Sequence, residues 1–110
     1  MTHYHVTWER GISLVGQGLW LDPLTVRDVA VVTHAHSDHA RRHRHAICTA
    51  ATYDLATGPR RPRAAQVVGY GEPHEVGATT VTLHDAGHML GSAQVLVEHG
   101  GVRLLYSGDL

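Results

Sequence analysis

Thr33-His34-Ala35-His36-Ser37-Asp38-His39-Ala40 follows directly on the apolar run Val29-Ala30-Val31-Val32. Four side chains able to ligate a metal, His34, His36, Asp38 and His39, therefore stand within six residues at the carboxyl end of a predicted buried strand. On extended chain, positions two apart project to one side, which lets His34 and His36 grip one ion. A helix opening at Ser37 or Asp38 turns Asp38 and His39 toward a second point nearby. This spacing suits two metals rather than one. The plain alternative is a histidine-rich loop that holds no metal.

The rest of the chain sets bounds on that reading. At 110 residues it is within the range of one small domain, and 43% apolar residues are enough for a core. A formal charge of -1 gives no global basic field, so nucleic-acid binding would have to come from local arginine clusters. Cys48 is the single cysteine and cannot form an internal disulfide, and the polar opening Met1-Thr2-His3-Tyr4-His5 is no secretory signal. A reducing, cytoplasmic compartment is expected. The longest apolar runs fall far below the roughly 20 residues needed to span a bilayer, so no membrane partner is expected. Eleven histidines against nine Lys+Arg, all nine of them arginine, ask for a chemical reason.

β-Branched runs punctuated by glycine, proline and aspartate predict strands over 4–7, 12–15, 19–21, 29–33, 46–48, 66–69, 79–83, 94–98 and 102–106. Helices are expected from Ser37 and over 50–57, the second with Thr49 as N-cap and Gly58-Pro59 as its stop. Residues 58–65 have no period and two prolines, and read as a loop. The fold class is α/β (α+β), mostly β-strands with short helices.

Thr33 to Ala40 resembles the signature loop of metallo-β-lactamase-fold hydrolases, and three further motifs of that family stand in order along nearly the whole chain. Trp20-Leu21-Asp22-Pro23 is similar to the first motif. Ala86-Gly87-His88-Met89-Leu90-Gly91-Ser92-Ala93 resembles the third, and Tyr106-Ser107-Gly108-Asp109 the fourth. The resemblance implies that His34, His36 and His88 hold one ion and that Asp38, His39 and Asp109 hold a second, with Asp109 bridging. Asp22 is then the residue behind the ligands that orients the histidine loop, although Asp-Pro after a strand is also an ordinary turn. Gly87 and Gly91 let the backbone turn closely around His88, or mark only a flexible hairpin. Imidazoles and carboxylates suit zinc, and two ions about 3.5 to 4 Å apart activate a water and neutralise charge on the leaving side. Asp38 is in addition the candidate for managing the proton.

Within this fold the ligands do not choose the substrate. Leu21-Asp22-Pro23, Ser37-Asp38-His39-Ala40-Arg41, Tyr70-Gly71-Glu72-Pro73 and Gly87-His88-Met89-Leu90-Gly91-Ser92-Ala93-Gln94-Val95 together resemble the nuclease branch. That branch includes RNA 3′-end-processing factors and, in closer likeness, bacterial DNA ligase-associated exonucleases. The resemblance implies DNA or RNA as substrate and a DNA ligase system as a partner. A thioesterase or lactonase, or a metal-binding module without activity, stays open beside it. Arg41-Arg42-His43-Arg44-His45 and the cluster Arg60, Arg61 and Arg63 are solvated faces in the ordinary case, and near a nuclease site they are phosphate contacts. His3, His5, His74, His84 and His99 lack ligand spacing, Cys48 reads as a small buried hydrophobe, and Trp8 and Trp20 as core or lid residues.

The resemblance also implies that residues 1–110 form the N-terminal half of an αββα sandwich, truncated after the fourth motif, with one more histidine ligand in the second half. Strands such as 29–32 and 95–97 are then expected to lose part of their cover in the isolated half. The 110-residue chain alone is expected to be neither a stable domain nor a competent catalyst.

Overall fold

Strands that alternate inward and outward residues pair first with their neighbours in sequence, and both sheets of this chain are built that way. The computed structural model describes residues 5–8, 10–34, 42–56, 62–87 and 93–107. The chain runs β1 (His5–Trp8), β2 (Ile12–Val15), β3 (Leu19–Leu21), β4 (Val29–Val31), β5 (His45–Cys48), α1 (Ala50–Leu55), β6 (Ala65–Val67), β7 (His74–Val76), β8 (Thr79–Asp85), β9 (Ala93–His99) and β10 (Val102–Tyr106). One sheet has the order β1-β2-β3-β4-β5-β6, the other β10-β9-β8-β7. The first begins antiparallel and becomes parallel from β3 onward, while the second is antiparallel throughout.

The parallel strands sit between two layers, which is why β4 and β5 read as apolar runs rather than alternating ones. On one face Leu14, Leu19, Leu21, Val31 and Ile47 pack against Val81, Leu83, Ala93, Val95 and Val97 of the second sheet. On the other face Val32, Ala46, Cys48 and Ala56 form a smaller cluster with Tyr53 of α1. The result is a helix layer over two sheets. Thr49 caps α1 as expected, its hydroxyl accepting from the Thr52 N–H at 3.3 Å. The helix closes at Leu55 with Ala56 extended, and Thr57 lies outside the described residues.

Several expectations need correction. Val31, Val95 and Val97 keep full cover, because the two sheets of this chain pack on each other rather than each waiting for an absent partner. β7 carries no alternating apolar pattern and was invisible in the sequence; its register against β8, His74 opposite Val81, makes it a strand. Ala65 belongs to β6, not to the preceding loop, because its neighbour Ala64 accepts a hydrogen bond from the Ala46 N–H at 2.9 Å. Trp8 is not in the core: it stands 66% exposed on the edge strand β1. His43, read with its arginine neighbours as a solvated face, is completely buried. The helix expected from Ser37 lies outside the described residues.

Cys48 behaves as read. It is buried, and burial pushes its thiol up from 9.0 to about 11. In the native protein a thiol reagent at pH 8 is expected to leave Cys48 unmodified until the chain is unfolded. The raised value favours the folded state only while the thiol stays protonated. That contribution is complete below pH 9 and is lost as pH rises toward 11. Fast labelling of the native thiol at pH 8 would contradict this environment.

Candidate metal centre

The carboxyl ends of β3 and β4 lie side by side, Trp20 pairing with Ala30 and Leu21 with Val31. Asp22 and His34 follow those ends. Asp22 adopts φ 45°, a left-handed backbone that aspartate tolerates better than most non-glycine residues. Its N–H donates to the Val31 carbonyl at 2.9 Å, which extends the ladder by one residue before the chain turns away. Pro23 then packs on Gly11, where an added Cβ would stand 2.5 Å from the proline Cα. Only glycine leaves room there, and Gly11 at φ 148° has the backbone freedom as well.

This turn buries the Asp22 carboxylate, which accepts three hydrogen bonds. Thr33 donates its N–H to Oδ1 at 2.8 Å and its hydroxyl to Oδ2 at 2.6 Å, and Tyr106 donates its hydroxyl to Oδ2 at 3.0 Å. A threonine hydroxyl has one proton. Since Thr33 spends it on Asp22, its oxygen must accept from Nδ1 of His34, 2.9 Å away. His34 therefore carries its proton on Nδ1, which makes Nε2 the ring nitrogen that bears the lone pair. That is the state in which an imidazole ligates a metal. His34 is 1% exposed, so its ring is also held by packing.

Two other chain segments are tied to the same point. The Ala93 N–H donates to the Thr33 carbonyl at 2.8 Å, which anchors the start of β9 one residue from His34. Tyr106, the last residue of β10, reaches Asp22 across 84 residues of sequence. His88 falls between Gly87 and Ala93, and Asp109 three residues after Tyr106. Asp22, Thr33, Ala93 and Tyr106, one described residue from each of the four motifs, are thus tied together at one end of the sandwich.

Of the six expected ligands, His34 is described. His36, Asp38, His39, His88 and Asp109 lie outside the described residues, and among the described residues no group of three metal-ligating side chains forms. What is visible fits a divalent ion: a buried imidazole whose tautomer is set from its Nδ1 side. Thr33 and Tyr106 went unassigned in the sequence. Alternation along β10 does place Tyr106 with Leu104 on the inner face, but no pattern marks Thr33 as the link between Asp22 and His34.

Along the same carboxyl edge, beyond β5 and β6, lies an open cleft of about 420 Å³ lined by Thr49, Ala50, Val67, Gly69, Tyr70 and Glu72. The Gly69 N–H donates to Glu72 Oε1 at 2.7 Å and shapes its floor. Partial burial, and secondly the Asp85 carboxylate, raise the Tyr70 phenol above its ordinary value and keep it a neutral donor.

No protein-family model matches the chain. A protein of Opitutus terrae described as a probable DNA ligase is 39% identical over 109 residues, which are 96% of this chain and 11% of that protein. Among solved structures, the HARLDQ-motif metallo-beta-lactamase of Cronobacter sakazakii superposes with a TM-score of 0.66 at 17% identity, covering 87% of this chain and 54% of that one. Zn(2+)-bound PqqB from Methylobacterium extorquens gives 0.59 at 15% identity over 86% of this chain and 50% of that one. The chain spans about half the length of these structures and a small part of the curated relative. It has the metallo-β-lactamase fold.

Proposed function

We propose that these residues are the metal-bearing half of a two-metal hydrolase that cleaves nucleic-acid phosphodiesters. The observation that supports the hydrolase reading is the relay from Asp22 through Thr33 to His34, which fixes the buried imidazole by its Nδ1 side. A histidine of purely structural use needs no carboxylate relay to choose its tautomer. His34, His36 and His88 would hold one ion, and Asp38, His39 and Asp109 the other. Zinc suits this donor set, and the ligand state of the solved PqqB structure supports that choice. Two such ions supply water activation and charge neutralisation on the leaving oxygen.

The protein's own residues do the rest. The relay holds His34 in place before substrate arrives. Asp38 takes the proton of the attacking water, whose oxygen bonds to phosphorus while the bond to the leaving oxygen breaks, and returns a proton to that oxygen. The Gly-His-Met-Leu-Gly-Ser-Ala motif and the arginine clusters support a phosphodiester rather than a thioester or lactone. The relative described as a probable DNA ligase supports DNA work and a place beside strand joining.

The test is cleavage of end-labelled single- and double-stranded DNA and RNA by the complete protein, with and without chelator. Metal-dependent degradation of at least one of these is expected. Turnover of a thioester or lactone with none of the four nucleic acids cut would move the protein to small-molecule chemistry.

A further inference from the structure

At the amino ends of the parallel strands, the end away from His34, described members of the two arginine clusters of the sequence, Arg42 and Arg44 from one and Arg63 from the other, meet. Arg27 and Asp28 lead into β4, Arg42 and Arg44 into β5, and Arg63 toward β6. With Val26 these residues line one open basin of about 590 Å³ in which four guanidinium groups face a single carboxylate, Asp28. Four of the nine arginines thus collect in one place on a protein of net charge -1.

The basin is built rather than incidental. Buried His43 accepts the Arg27 N–H on Nδ1 at 3.1 Å, and its carbonyl accepts the Arg63 N–H at 2.9 Å. The Arg44 N–H donates to the Arg27 carbonyl at 3.0 Å, and the His45 N–H to Asp28 at 2.8 Å. Three chain segments that are distant in sequence are therefore locked together, with His43 inside and the arginines outside. The Arg27 guanidinium lies flat on the Trp20 ring, 3.8 Å from its centre, which limits its freedom before any ligand binds. Arg42, Arg44 and Arg63 are exposed, with their forks available to planar anions.

We infer that this basin binds the phosphate backbone of a nucleic acid as a second contact, remote from the cleavage site. The inference rests on the nucleic-acid reading above. Seven residues of nearly extended chain separate Arg27 from His34, about 20 Å. The basin therefore cannot touch the reacting phosphate. At the 3.4 Å axial rise per nucleotide of a strand, it meets phosphates about six nucleotides away. Such a contact holds the strand in register without reading its bases.

The experiment measures binding of a 20-nucleotide duplex to the complete protein, with chelator present so that the strand is not consumed, across a series of salt concentrations. Each phosphate contact contributes about 0.9 to the slope of log K against log salt. Arg44→Ser combined with Arg63→Ser is expected to lower that slope by about 1.8 and to leave the melting temperature unchanged. Arg103→Ser, on β10 and not among the residues lining the basin, is expected to leave the slope as it is. Wild-type binding with an unaltered slope in the double variant would overturn the basin and spare the nucleic-acid reading. Absence of binding by the wild type would overturn both. Equal competition by polyglutamate of matched charge would overturn the phosphate assignment in favour of an acidic peptide.

Discussion

His34→Ala is expected to abolish hydrolysis and to remove at least one metal ion from the complete protein. The side chain is buried and its Nδ1 proton is committed to Thr33. Loss of a direct ligand should exceed the roughly 10- to 100-fold cost of losing an orienting partner. Metal analysis after dialysis, paired with the nucleic-acid assay, measures both effects. Full metal content together with wild-type cleavage in His34→Ala would remove His34 from the ligand set.

The second large effect is expected at Asp22, and its two substitutions separate stability from ligand orientation. Asp22→Ala leaves the buried Thr33 N–H without an acceptor and frees Tyr106 from β3, a loss of about 2–4 kcal/mol in stability. Asp22→Asn keeps the shape but places a donor where Oδ2 was. The Thr33 hydroxyl then finds its nearest acceptor in His34 Nδ1, which shifts the imidazole proton to Nε2 and blocks that nitrogen as a ligand. Asp22→Asn is therefore expected to melt within a few degrees of the wild type and yet bind zinc about 10- to 100-fold more weakly. Wild-type zinc affinity in Asp22→Asn would show that the relay does not set the tautomer.

Local periodicity carried most of this architecture. β2, β3 and β10 fall at the predicted residues because each is bounded by glycine, aspartate or serine punctuation and shows its own pattern. β7 was missed because three residues at a sheet edge, His74, Glu75 and Val76, display no period; only pairing with β8 makes them a strand. At the site, Asp22 was legible because its motif stands in family order, whereas Thr33 was not. A threonine after a buried strand is common, and its role exists only through an acceptor on another strand. His43 was misread for a related reason. Four of its neighbours in the 41–45 stretch are cationic or histidine, yet its burial is decided by Arg27 and Arg63, which approach from elsewhere in the chain.

Within each sheet, every strand lies beside its sequence neighbour. Such pairing joins strands that follow one another in sequence, so either sheet can zip up with less entropic delay than the contacts between the sheets. The bonds that finish the metal end are of another kind: Asp22 to Tyr106 spans 84 residues, and Thr33 to Ala93 likewise joins the two sheets. Nascent chain that has completed the first sheet still lacks the Tyr106 hydroxyl and the β9 anchor. On the proposed reading, competence to capture metal would therefore arrive only when the two sheets dock.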